Sequence, residues 1–408
     1  MNLQLYYLMI LDTYHILIVL SIVTIISYLF NIISEKLRVP SAILLIGCGI
    51  LTQVVTGYYG MTVYIPRKIL EILGVVGLIM IVLEGALDLK ITKSKRKLIT
   101  QSFLAALSVL LITAIAIADI LHLALDIDFF KALPYAVAMG VISSAIAIPS
   151  VHNLDGGKKE FIIYESTFSD ILGILLFNYV ISDKLLSLAT AGLFVWNLVL
   201  ITVISILSTI LLMLLFRYLK GHIKVFLILS IVVLVYSVSK QMHLPSLFFI
   251  LVFGLVLNNS EPFLKGKLKK FLHPEKLISV NTELKSMTAE LAFLIRTFFF
   301  LLFGYSLDVT LVLSGTVLLT GSAIMLVILV IRYVFLRYIS QTNIFPELFI
   351  APRGLITILL FYSIPTHLVS DKFNEGVLSF VIIVSGLIMM LGLLFSNRKV
   401  DQKLMTEV

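Results

Sequence analysis

Charge is scarce in this sequence. Only 13% of its 408 residues are Asp, Glu, Lys or Arg, against about a quarter in a soluble domain, and 60% are hydrophobic. That balance excludes an ordinary water-soluble globule. Cysteine is nearly absent: Cys48 stands alone within an apolar run, so no internal disulfide can form and the residue reads as small core packing. Histidine is sparse as well. His15, His122, His152, His222, His243, His273 and His367 fall mostly near the ends of apolar runs, and none forms the His-x-x-x-His spacing of a metal site. A membrane-embedded transferase, the main alternative of another class, would want such groups at an aqueous face. A phosphate cradle is missing too, because Asp155-Gly156-Gly157-Lys158 is a short turn without the spacing of a nucleotide loop. No cofactor is called for. The first apolar segment lacks a basic leader and an obvious small-residue cleavage site, which reads as an uncleaved span.

What the sequence has in abundance is long apolar runs. Stretches of 18 or more residues can cross a hydrocarbon core of roughly 30 Å, and lipid cannot hydrogen-bond a backbone, so the expected fold is all-α. Candidate spans are 14–34, 40–57, 69–90, 99–121, 132–152, 159–181, 187–217, 222–239, 244–259, 287–308, 312–338, 344–367 and 376–396. About thirteen transmembrane helices put the termini on opposite sides. With the N-terminus outside, the inner loops hold Lys36, Arg38, Lys90, Lys93, Lys95, Arg96, Lys97, Lys158, Lys159, Lys220 and Lys224, the basic stretch Lys265 to Lys276, and Arg398, Lys399 and Lys403 of the tail. Outer segments hold far fewer. The positive-inside rule then places the C-terminus in the cytoplasm of a cell inner (plasma) membrane protein. The formal charge of +8 is explained by this asymmetry rather than by nucleic acid. The one long connection, 260–286, reads as a basic amphipathic segment along the inner membrane surface.

The chain echoes itself. The third span ends Leu83-Glu84-Gly85-Ala86-Leu87-Asp88 and the tenth ends Leu302-Phe303-Gly304-Tyr305-Ser306-Leu307-Asp308. Helix formation is interrupted at Ser143-Ser144-Ala145-Ile146-Ala147-Ile148-Pro149 in the fifth span and at Ala351-Pro352-Arg353-Gly354 in the twelfth. An offset of about seven helices inverts the second copy, and inverted repeats with broken helices mark secondary transporters whose sites lie near the midplane.

Two carboxylates sit in the apolar sixth span, Glu165 and Asp170. An acidic group near the bilayer centre costs about 2.5 to 3.5 kcal/mol on insertion scales, so it needs a partner or a task. Five residues turn about 140° around a helix, so the two point at different partners. Arg332 lies among apolar residues of the eleventh span and cannot shed its proton. A structural Glu165–Arg332 ion pair is expected, leaving Asp170 titratable. Arg296 is a further embedded cation whose depth the sequence leaves open.

These residues resemble the cation/proton antiporter superfamily, in particular its sodium/proton exchangers, and the likeness covers nearly the whole chain. Glu165-Ser166-Thr167-Phe168-Ser169-Asp170 looks like the family's Glu-Ser-x-x-Asn-Asp motif, and Arg332 matches the arginine paired with the motif's glutamate. Pro352-Arg353-Gly354 and Ser143-Ser144 are similar to the steps in its two crossed broken helices. Ser169 replaces the family's asparagine, and Ser144 stands where exchangers often carry an acid, closer to potassium-transporting relatives.

The resemblance implies that Asp170 is the cation and proton site, and the residues suggest Ser169, Ser166, Ser143 and Ser144 as further oxygen donors. Arg353 would offset carbonyl ends in the second break. A lone carboxylate holds a proton or a monovalent cation in competition, which is exchange. Sodium or potassium is the ion, and equal charge in both loaded states implies one-for-one electroneutral antiport. By the same resemblance, 1–98 and 222–308 form a scaffold that dimerises, 99–181 and 312–396 a transport core, and 187–217, with Trp196, the linker, while 397–408 is a short cytoplasmic tail.

Overall fold

The computed structural model describes residues 13–37, 39–60, 67–89, 91–151, 154, 156–181, 188–215, 224–242, 244–259, 274–340 and 344–396. The expected membrane face of the N-terminus, the tail 397–408 and residues 260–273 of the basic loop lie outside them. Every described regular element is helical. In chain order they are α1 Thr13–Leu37, α2 Ser41–Tyr58, α3 Arg67–Asp88, α4 Arg96–Leu125, α5 Phe129–Gly140, α6 Ser144–Ser150 and α7 Gly156–Val180. Then come α8 Leu188–Leu215, α9 Lys224–Gln241, α10 Ser246–Asn258, α11 Pro274–Ser306, α12 Val309–Val312, α13 Gly315–Val334, α14 Leu355–Tyr362 and α15 Glu375–Ser396.

Among the described residues, eight stretches are long and apolar enough to cross a membrane, and α9 and α10 are shorter apolar helices. Two expectations shift. Residues 274–286, assigned to a surface loop, are the opening turns of α11. The twelfth span is helical only from Leu355, and residues 350–354 lie outside any helix. Pro352 has no N–H, which removes a helix donor just ahead of α14.

The helices pack in two groups. In one, α2 and α3 lie against α11, α10 against α3 and α8, and α1 against α2. In the other, α4 packs on α5, α7 and α13, α13 on α15, and α14 on α5. Close approach within the first group depends on glycine: a Cβ on Gly304 would overlap the Ile46 backbone, and one on Gly49 the backbone of Leu301 and Tyr305. In α8 the outward residues Leu193, Trp196, Leu207 and Leu211 are exposed, the pattern of a helix whose solvent is lipid.

One end of the bundle gathers basic residues. Lys95 before α4 meets Glu160 of α7 at 2.7 Å, Lys285 of α11 meets Asp88 of α3 at 2.5 Å, and Lys158 of α7 donates to the Phe345 carbonyl at 2.8 Å. Asn259, after α10, closes this end by donating to the Leu89 carbonyl at 2.9 Å. At the opposite end Lys372 meets Asp126 at 2.5 Å.

Candidate functional site

Two breaks in helix meet in the second group. The first lies between α5 and α6, where Val141 and Ser143 are extended; the second is Ala351 to Gly354. They are joined directly, the Ser143 N–H donating to the Pro352 carbonyl at 2.8 Å. Gly354 leaves room for the crossing: a Cβ there would lie 2.6 Å from Ile146 Cδ1 and 2.9 Å from the Ser143 hydroxyl oxygen, so a larger residue would force those side chains to shift.

Broken helices leave peptide groups without partners, and each must be satisfied inside the protein. Arg353, 1% exposed, answers at the first break. Its Nε donates to the Met139 carbonyl at 2.9 Å and its Nη2 to that of Gly140 at 3.2 Å, the last carbonyls of α5. Its Nη1 also donates to the Ala351 carbonyl, and its own N–H is taken by Ser385 Oγ at 3.0 Å. Arg353 therefore serves mainly the first break, whereas the sequence suggested the second; the two breaks cross, so a side chain from one reaches the carbonyl end of the other. A cation beside a helix C-terminus is the favourable sign of charge for its dipole.

Helix α7 runs past this crossing with both carboxylates buried. Arg332 of α13 clasps Glu165 with two parallel hydrogen bonds, Nη1 to Oε1 at 2.7 Å and Nη2 to Oε2 at 2.9 Å. Both side chains are 1% exposed. The guanidinium is completed by the Glu347 carbonyl on Nε at 2.9 Å and the Ile350 carbonyl at 3.2 Å. Bidentate pairing of this kind is the strong form of the ion pair.

Asp170 lies on another face of α7, 3% exposed. Its Oδ2 accepts the Ser144 N–H at 3.2 Å, at the start of α6, and its Oδ1 has no partner. The Ser143 Oγ is likewise buried without one. Ser169 Oγ accepts the Ile142 N–H in the first break at 2.9 Å, while Ser166 Oγ donates within its own helix to the Ile163 carbonyl at 3.3 Å. Ser169, Ser143 and Ser144 are thus tied to the break beside Asp170, whereas the hydroxyl of Ser166, one turn away, is spent on its own backbone. An unsatisfied carboxylate oxygen among buried hydroxyls suits a cation that prefers oxygen.

Cavities flank the crossing. At the basic end, a cavity of about 390 Å³ is lined by Glu84, Gly85, Ser144, Ile148 and Arg296. At the opposite end, one of about 580 Å³ is lined by Ile174, a turn beyond Asp170, with Phe303, Asp308 and Glu375.

The family profile described as "Sodium/hydrogen exchanger, transmembrane" matches residues 19–396. The chain belongs to that family. Membership makes it a multi-pass membrane protein and a transporter, setting aside the transferase reading. Its fold is that of the sodium proton antiporter MjNhaP1 from Methanocaldococcus jannaschii. A structure of that protein at pH 8 aligns with a TM-score of 0.64 and 19% identity over 93% of this chain and 94% of the other. A second, from an electron-microscopy map, aligns with a TM-score of 0.64 and 18% identity over 98% of each. Among curated proteins, none matches.

Sequence reasoning missed the roles of Glu84, Glu347 and Ser385. Glu84 was within reach, since an acid embedded in the apolar third span carries the same cost as those in the sixth. Glu347 and Ser385 act on Arg332 and Arg353 through contacts that no spacing announces. The echoed aspartates part ways: Asp88 pairs with Lys285, and Asp308 accepts the Thr310 N–H at 2.9 Å as the cap of α12.

Proposed function

We propose that this cation/proton antiporter exchanges sodium for protons one for one at Asp170, without net charge movement. The observation that carries the reading is the buried Asp170 carboxylate, with one oxygen unpartnered, at the junction of two helix breaks. A proton and a cation compete for that single negative charge. Ser143 Oγ, Ser169 Oγ and carbonyls of the breaks are the neighbouring oxygens available to a dehydrated ion, and Ser144 contributes its N–H to hold the carboxylate. Glu165 is neutralised by Arg332, so the site carries equal charge whether loaded with H⁺ or Na⁺.

Alternating access follows from movement of the group containing α4 to α7 and α13 to α15 against the group containing α1 to α3 and α9 to α11, with α8 as linker. The first would be the transport core (99–181 and 312–396), the second a dimerising scaffold (1–98 and 222–308). The charge asymmetry assigns the basic end to the cytoplasm of a plasma membrane.

Potassium is the second reading. Ser144 and Ser169 supply no second carboxylate, and a less charged site favours a more easily dehydrated ion. Proton flux from everted vesicles challenged in turn with sodium, lithium and potassium decides between them. Asp170→Asn should fold and give no cation-driven flux with any of the three; retained flux in that variant overturns the assignment.

A further inference from the structure

Helix α6 carries a proline, Pro149, in its last turn. In an α-helix the carbonyl of residue i takes the N–H of residue i+4, and proline has none to give, so the Ala145 carbonyl lacks that donor. A side chain from the other helix group comes to it. Nη1 of Arg296, on α11, lies 3.5 Å from the Ala145 oxygen. The same nitrogen is 3.6 Å from Oε2 of Glu84 on α3. Both ionic side chains line the basic-end cavity, where Asp88 is already paired with Lys285. The residue before Ala145 is Ser144, whose N–H holds Asp170.

We propose that Arg296 is a positioning residue: rooted beside Glu84 in one helix group, it latches the first turn of α6 in the other, and through Ser144 sets Asp170 in the conformation whose cavity opens at the basic end. This rests on the antiport reading for its purpose but not for its geometry. Movement of one group against the other has to break the Arg296–Ala145 contact, because its two sides belong to different groups. Its strength therefore biases how long the protein dwells in this arrangement and how well the site receives a cation from the basic side.

The test uses a Cys48→Ala parent carrying Ile148→Cys, a position lining the basic-end cavity. Two quantities are measured in vesicles: the rate of labelling by a membrane-impermeant maleimide added to each face in turn, and the KM and maximal rate of sodium-driven proton flux. Arg296→Met should slow labelling from the basic side and raise KM there, each by about fivefold, the low end of couplings between sites, with a smaller change in maximal rate. Arg296→Lys should recover part of both. Pro149→Ala restores a backbone N–H to compete for the Ala145 carbonyl, so it should move both readouts the same way with the arginine still present.

Labelling and KM equal to the parent in a monodisperse Arg296→Met protein overturn the latch. So does a misfolded Arg296→Met protein accompanied by parental behaviour in Arg296→Lys and Pro149→Ala, which makes Arg296 packing alone. Absence of cation-driven flux in the parent, with the labelling shifts present, sinks the antiport reading and leaves the latch standing.

Discussion

At the scale of single residues, two buried arginines answer different needs. Arg332 serves a charge: its fork takes both oxygens of Glu165 with both side chains out of water. Arg353 serves backbone, taking the terminal carbonyls of α5 where the helix stops. Removing one member of a buried pair strands the other, at a cost of about 3–5 kcal/mol. Glu165→Gln is therefore expected to lower the thermal unfolding midpoint in detergent sharply, and a midpoint unchanged from the parent argues against the pair as a structural element. Arg353→Gln leaves the Met139 and Gly140 carbonyls short of donors, each worth about 1–3 kcal/mol. Loss of folded yield is the expected outcome, and normal yield would show that water replaces the guanidinium. Glu165 and Arg332 are legible in the sequence because charge in an apolar span is conspicuous, and the structure sets them 2.7 Å apart. Glu347 and Ser385 are not legible, since one contributes a main-chain carbonyl and the other a hydroxyl of the commonest kind.

At the scale of elements, close approach and loop pairing govern. Helices α2 and α11 touch through Gly49 and Gly304, where any side chain would meet backbone rather than a movable group. Gly304→Val must push the two helices apart, and overpacking of this sort costs about 1–3 kcal/mol or more. A thermal midpoint within error of the parent would show that α2 is free to shift. The loops of the second group are joined at the end away from the basic cluster by Lys372 and Asp126. The hydrogen bond from Lys372 holds the exposed Asp126 carboxyl below its usual range. For a depressed acid, the contribution to stability is complete above the ordinary aspartate value and is lost as pH falls through the lowered one. The link should thus be indifferent to pH across the neutral range and fail only in strong acid. Stability of the parent and of Lys372→Ala, followed together on acidification, should converge there; convergence near neutral pH contradicts the assignment. Span existence is readable from apolar runs alone, but α11 starts thirteen residues early, because a helix that packs against α2 and α3 is stabilised by contacts its own composition does not contain.

At the scale of the whole molecule, the arrangement of charge sets what transport does to the membrane potential. On the proposed reading, in which Asp170 carries either a proton or a cation while Glu165 is balanced by Arg332, turnover in proteoliposomes should be unaffected by an imposed potential. Rates that follow the potential would mean that a second charge moves with each cycle. Cavities on both sides of the crossing, reaching Ser144 from one end and Ile174 from the other, are consistent with a site that needs only a small shift of the helix groups to change the face it addresses.

Sequence by itself determined the solvent, the helical class, the two interruptions and the misfit charges, because each follows from local composition: apolar length, missing N–H groups, and carboxylates where lipid would not accept them. Only the tertiary structure decided that Arg353 serves the opposite break, that Arg296 bridges two helix groups, and that Asp170 keeps one oxygen free. Those depend on which residues, distant along the chain, meet when helices cross. A period along one helix specifies a face and leaves unstated what the face will touch.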